Sequence, residues 1–185
     1  MAAVELDGFD ALAWIGRYFA RPAPLDFEQL RPVLSFSLMW SLFDTVACRR
    51  NASPQRIRDA VDRADGAGRL DPAVYGEFLQ YFRDRYLRAG NIEDAFDRLL
   101  MTHRDSQVAV RRALIGDARD LNNIVYALLL IAHRIRNNLF HGNKGVATLH
   151  NQTELFRVVN CLLATFIDHK QPGESRRHAV RPSDT

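Results

Sequence analysis

Apolar residues recur at helical spacing along almost the whole of this chain. Between Asp117 and Leu139 they fall at Leu121, Ile124, Val125, Leu128, Leu129, Ala132, Ile135 and Leu139, which predicts one amphipathic helix with Asp117 as its N-cap. Leu6, Phe9, Leu12, Ala13 and Phe19 outline a first helix over 6–20, weakened by Gly16. Asp26 followed by Gln29 is a capping-box start, and Pro32 predicts a kink or a fresh first turn in a helix that runs to about Arg50. Between Leu34 and Ala47 that helix is apolar on most of its circumference, which predicts the central, buried one. Ser53-Pro54 and Asp71-Pro72 each set a capping side chain before a proline at the first helical position. They open helices on either side of the loop Asp65-Gly66-Ala67-Gly68, the second continuing to about Ala89 before Gly90. Shorter helices are predicted from Asn91 to about Met101 and from Asp105 to Ile115. The last, about Thr148 to His169, shows Leu155, Val158, Val159, Leu162, Leu163 and Phe166. No strand-like alternation of useful length and no internal repeat is present.

This pattern predicts an all-α helical bundle with peripheral helices, one domain over residues 1–170. From Gln171 the chain turns polar, with Pro172 and Gly173 and no periodicity, so 171–185 is expected to be a disordered tail. At 185 residues and 47% hydrophobic content the chain is long and apolar enough to bury a core, which excludes a wholly disordered protein. It carries no apolar run of membrane-spanning length and no secretory leader, so a cytoplasmic location is expected. Cys48 and Cys161 lie in separate apolar helical patterns and read as buried free thiols. A disulfide between them would need an oxidising compartment for which nothing else in the sequence argues. Charge changes the picture little: 25 basic against 22 acidic residues give +3. The basic residues are nearly all arginine, with Lys144 and Lys170 the exceptions, a bias that fits a GC-rich genome as well as it fits phosphate binding.

The candidate chemistry lies where the 117–139 helix runs out, in His133-Arg134-Ile135-Arg136-Asn137-Asn138-Leu139-Phe140-His141-Gly142. Arginine presents a planar fork of donors that suits phosphate, and histidine exchanges a proton near neutral pH. At about 100° per residue, Arg136 lies roughly 80° from Leu128, at the edge of the apolar stripe, and Arg134 falls on the opposite, solvated side. Arg136 and His141 would be roughly 140° apart on an ideal helix. Gly142, Asn143 and Gly145 stop the helix, so His141 can swing back toward Arg136, or a second copy of the chain can supply the matching half. The bland alternative is that Arg136 caps the C-terminal carbonyls of its helix and His141 is an ordinary polar residue.

The string Arg136-Asn137-Asn138-Leu139-Phe140-His141 resembles the signature of the HEPN superfamily (higher eukaryotes and prokaryotes nucleotide-binding domains): arginine, a polar residue, three more, then histidine. Phe36-Ser37-Leu38-Met39-Trp40-Ser41-Leu42-Phe43-Asp44 is similar to a buried helix of some members, with Asp44 in the place of their acidic residue, more often glutamate. The resemblance spans about residues 30 to 170. It implies a metal-independent endoribonuclease of toxin–antitoxin or antiviral defence systems, acting on RNA as a homodimer, with a cognate antitoxin or defence-system protein as partner and no cofactor. Within it Arg136 would bind the scissile phosphate and His141 would carry the proton. Asn137 would assist by hydrogen bonding, and Asp44 would orient one of the two. Asn138, Lys144 and His133 would contact RNA. A non-catalytic RNA- or nucleotide-binding or dimerisation module of a defence complex is the alternative.

Other features carry less. His103, His133, His150, His169 and His178 are scattered without partners at metal-ligand spacing, and no metal site is expected. Gly142-Asn143-Lys144-Gly145 lacks the preceding strand and the Lys-Ser/Thr pair of a phosphate loop and reads as a turn. Tyr75, Tyr81, Arg83, Arg85, Tyr86 and Arg88 mix aromatic and basic residues as single-stranded RNA binders do. They fit better an amphipathic helix that buries Val74, Phe78 and Phe82 behind a salt-bridged face around Asp84.

Overall fold

A computed structural model describes residues 10–18, 26–97, 99, 104–140 and 152–168. In chain order the elements are α1 (Ala11–Tyr18), α2 (Phe27–Cys48), α3 (Pro54–Gly66), α4 (Pro72–Tyr86), β1 (Leu87–Arg88), β2 (Asn91–Ile92), α5 (Asp94–Asp97), α6 (Arg104–Ile115), α7 (Leu121–Phe140) and α8 (Thr153–Asp168). The architecture is an all-α bundle. The expected tail 171–185, the outer parts of the 6–20 helix and the start of the last helix before Gln152 lie outside the described residues.

Three helix starts follow from local side-chain chemistry. The Asp26 carboxylate accepts from the Glu28 N–H at 2.9 Å, the Asp71 carboxylate from the Ala73 N–H at 2.9 Å, and the Ser53 hydroxyl from the Arg56 N–H at 3.3 Å. Each satisfies a donor that has no partner inside its helix, worth about 1 kcal/mol. Asp117 does not act in this way. Gly116 takes φ +92°, and the N–H groups of Asp117 and Ala118 both return to the Arg112 carbonyl, so these residues close α6 and α7 begins four positions later.

The centre of the bundle is α7, not α2. Every residue from Ala127 to Ala132 is at most 1% exposed, so this stretch is covered on its whole circumference, by α3, α4 and α6 on most sides. Burying each of its leucines contributes about 1.5–3 kcal/mol. α2 instead lies at the side of the bundle along α8, joined by edge-on rings of Phe36 and Phe156 at 5.2 Å and of Phe43 and Phe166 at 5.9 Å. Its other side is open: Leu34, Leu38 and Leu42 are 45%, 75% and 48% exposed. Pro32 stands inside α2 without dividing it, and the Asn160 amide of α8 donates to the Pro32 carbonyl at 2.9 Å and to the Ser35 hydroxyl at 3.2 Å.

The segment after α4 departs from the helical expectation. α4 ends at Tyr86, and Leu87–Ile92 forms a two-residue antiparallel hairpin, Leu87 paired with Ile92 and Arg88 with Asn91. Ala89 and Gly90 take φ +49° and +80°, the mirror-image turn whose twist matches paired strands. Of the helix expected from Asn91 to Met101, Asn91 and Ile92 belong to the hairpin and the described residues show the single turn Asp94–Asp97, while 98, 100 and 101 lie outside them. Cys48 is buried, whereas Cys161 is exposed, because it lies on the side of α8 opposite the stripe formed by Leu155, Val159, Leu162 and Phe166. No helix among the described residues is long and apolar enough to cross a membrane.

Candidate functional site

The last two turns of α7 present two faces of different character. His133 lies three and four residues before Arg136 and Asn137, and these lie four and three before Phe140, so all four share one side. Arg134 and Asn138, four residues apart, share another.

The second face is structural. Arg134 Nε donates to the Leu99 carbonyl at 2.6 Å and Asn138 Nδ2 donates to the same oxygen at 3.0 Å. Arg134 is half-buried, and its desolvation lowers its pKa from the ordinary arginine value. The solvated position expected for Arg134 is thereby corrected: the chain at Leu99, itself 3% exposed, covers that side of the helix. Asn138 is 1% exposed, turned into the bundle and away from the surface an RNA strand would touch.

The first face is open at its end. The Arg136 guanidinium donates from Nη1 to Asn137 Oδ1 at 3.1 Å, and its carbon stands 5.1 Å from the Phe140 ring centroid. Its Nε is buried with no acceptor, and no carboxylate lies within ion-pair distance of it among the described residues. Phe140 is 55% exposed. One turn before Arg136, the His133 ring lies against Trp40 of α2, with centroids 5.7 Å apart and planes tilted by 40°. An arginine without a carboxylate partner, held beside an exposed aromatic ring, is an arrangement that takes an anion and a planar group together.

Asp44 makes no side-chain bond to this face. Its Oδ1 is buried without a hydrogen-bond partner, and no ion pair joins it to Arg136. Its main-chain carbonyl accepts the Arg50 N–H at 2.9 Å, where Arg49 and Arg50 turn the chain with φ +56° and +62°. The structure therefore brings Arg136 and Asn137 together, sets His133 on the same side one turn away, turns Asn138 into the bundle, and joins Asp44 to none of them by a hydrogen bond or ion pair. His141 and Lys144 lie outside the described residues. The capping role for Arg136 finds no support in its contacts, since its donor goes to the Asn137 side chain and not to a terminal carbonyl. Phe140 was the residue missed in the sequence. Its place four positions after Arg136 is a signal for ring–guanidinium contact that could have been read there.

Three residues of the tyrosine–arginine helix are taken up by the fold. Tyr75 and Tyr86 are 0% and 2% exposed, and Arg83 donates from Nε to the Leu114 carbonyl at 2.9 Å and from Nη2 to the Ala113 carbonyl at 3.1 Å, capping α6. The buried face is centred on Tyr75, Leu79, Phe82 and Tyr86, with Val74 and Phe78 half-buried at its edge. Outside it, Gln80 donates to Asp84 at 2.7 Å. Burial pushes the Tyr86 hydroxyl up to about 12 and raises Tyr75 further. Among the described residues no group of three or more His, Cys, Asp or Glu side chains is gathered as a metal site requires. Comparison of the chain with known protein families, curated proteins and solved structures finds no match in any of the three.

Proposed function

We propose that this chain binds RNA through the His133–Arg136–Asn137–Phe140 face of α7 and cleaves it without a metal, as its resemblance to HEPN endoribonucleases implies. The observation that carries the reading is Arg136: a half-buried guanidinium beside the exposed Phe140 ring, with no carboxylate partner among the described residues. A partly desolvated cation without a partner is stabilised by an anion, and a phosphodiester supplies one. Phe140 beside it offers a ring for base stacking.

The mechanism follows from the chemistry of RNA. The ribose 2′-hydroxyl is an internal nucleophile already near its phosphate, so positioning plus one proton carrier suffices. Arg136 holds the phosphate and stabilises the charge that develops on it. Asn137, bonded to Arg136 Nη1, fixes the direction of the fork. His141 takes the 2′-hydroxyl proton or gives one to the leaving 5′-oxygen. The partners this reading calls for are RNA, a second copy of the chain, and a cognate antitoxin or defence-system protein that restrains the activity in the cytoplasm.

Incubation of the purified protein with single-stranded RNA in the presence of a chelator tests the proposal. Cleavage to products with a 2′,3′-cyclic phosphate and a free 5′-hydroxyl is the expected result. Activity that disappears with chelator, or products with 5′-phosphates, overturns it. RNA that is bound through Arg136 and left intact turns the assignment to a non-catalytic binding module.

A further inference from the structure

Leu38 is the most exposed large apolar side chain among the described residues, at 75%, and it sits midway between Leu34 and Leu42 on the open side of α2. These leucines recur every four residues and form one ridge along α2, flanked on the same side by Arg31, Ser41 and Thr45, all exposed. The two flanking small residues leave room for a second helix to approach. Packed monomers seldom leave such a run of leucines in water.

The charges at the ends of α2 select the occupant. Asp26, Glu28 and Arg31, all exposed, stand at its N-terminal end, where Glu28 is 3.7 Å from Arg31 and the net charge is negative, and Arg49 and Arg50, both exposed, mark its C-terminal end. At about 1.5 Å per residue, Glu28 stands about 15 Å on one side of Leu38 and Arg49 about 16 Å on the other. A twofold axis through Leu38, with two α2 helices antiparallel, therefore sets Leu38 against its own copy and Leu34 against the copy's Leu42. It also brings Glu28 to the copy's Arg49. A parallel arrangement would bring like charges together at both ends.

We propose that the Leu34–Leu38–Leu42 face of α2 is a self-association surface, on which two copies of this chain pack antiparallel about Leu38. The contact goes beyond the function proposed above and does not rest on it. Leu38 and Trp40 are about 200° apart around α2. The seam thus faces away from the side that carries Trp40 and its contact with His133, and the Arg136 face stays open in the pair. This is a different surface from the end of α7 that the motif's own geometry calls on. A single stripe of this length buries less than a standard interface, so the pair is reversible and concentration-dependent in the micromolar range.

Site-specific crosslinking tests the geometry, in a Cys161→Ser background that removes the exposed native thiol. Leu38→Cys is expected to oxidise to a covalent dimer of twice 21.1 kDa. Leu34→Cys alone is expected not to, because its copies lie about 12 Å apart along the seam, whereas Leu34→Cys mixed with Leu42→Cys crosslinks. In light scattering, Leu38→Asp shifts the wild-type dimer to monomer with unchanged helicity, Glu28→Arg weakens it, and Glu28→Arg with Arg49→Glu restores it. A wild-type monomer at every soluble concentration overturns the proposal. So does crosslinking at Leu34→Cys as strong as at Leu38→Cys, or at Phe140→Cys in its place, which would mark the end of α7 as the joint.

Discussion

Arg134 and Asn138 donate to one and the same acceptor, the carbonyl oxygen of Leu99, from consecutive turns of α7. A buried carbonyl has two lone pairs, and filling both with donors from one helix fixes the segment before α6 against the centre of the bundle. Removing either donor leaves the carbonyl one partner. Removing both leaves it orphaned, which costs more than the two single losses added. Arg134→Ala and Asn138→Ala are each expected to cost about 1–3 kcal/mol, with the double variant exceeding their sum. Urea denaturation of the four proteins of the cycle measures this, and strict additivity would show that the shared acceptor is not what couples them.

Asp44 is expected to behave in the opposite way. Its Oδ1 has no donor to lose and no ion pair joins it to Arg136. Asp44→Asn should then change stability by less than about 1 kcal/mol, against about 3–5 kcal/mol for breaking a buried ion pair. Asp44→Asn is thus expected to cost less than Arg134→Ala, the reverse of the order that an orienting Asp44 and a solvated Arg134 would give. A loss for Asp44→Asn larger than that for Arg134→Ala would restore that order.

Alkaline unfolding should be governed by the core tyrosines. Tyr86 is neutral when protonated, and burial raises its pKa from 10.0 to about 12, with Tyr75 raised in the same direction. A group whose folded pKa lies above its unfolded one contributes stability that is complete below about pH 10 and is lost as the pH rises through its folded value near 12. Helicity should therefore fall between these limits. Tyr86→Phe should move the transition upward, since one of the groups that must ionise is gone. Titration of Tyr86 near its ordinary pKa with the helices intact would contradict the burial argument.

How much of this was legible in the chain depends on how far away the cause lies. Asp26, Ser53 and Asp71 are readable caps because the hydroxyl or carboxylate answers an N–H two or three residues on. Asp117 misleads because Gly116, in the left-handed region, lets the next two N–H groups fold back to Arg112. The periodicity of α2 correctly marks Leu34, Leu38 and Leu42 as apolar. It cannot say whether a neighbour covers them, which is decided by where α8 packs. Arg134 fails in the same manner. A helical wheel knows its own helix, and the cover over Arg134 comes from Leu99, 35 residues earlier. At the candidate site, Arg136 at the edge of the stripe was readable, and so was its neighbour Asn137. The ring of Phe140 turned toward the guanidinium was missed because an aromatic residue at a helix end reads as core until its exposure is seen.

The final prediction separates holding the phosphate from moving the proton. Phe140→Ala removes a stacking surface and leaves the reacting groups in place, so it should raise KM for RNA with little change in kcat. Arg136→Ala should abolish cleavage, because both ground-state contact and charge stabilisation go with the guanidinium. His141→Ala should abolish cleavage while RNA binding, measured by fluorescence anisotropy, is retained. The Arg136→Ala and His141→Ala losses should not add, since the two side chains serve one step. DNA of the same sequence should survive, lacking the 2′-hydroxyl that acts as nucleophile. Full activity in Arg136→Ala would detach the α7 face from the chemistry. Loss of both binding and cleavage in His141→Ala would make that histidine a contact and not a proton carrier.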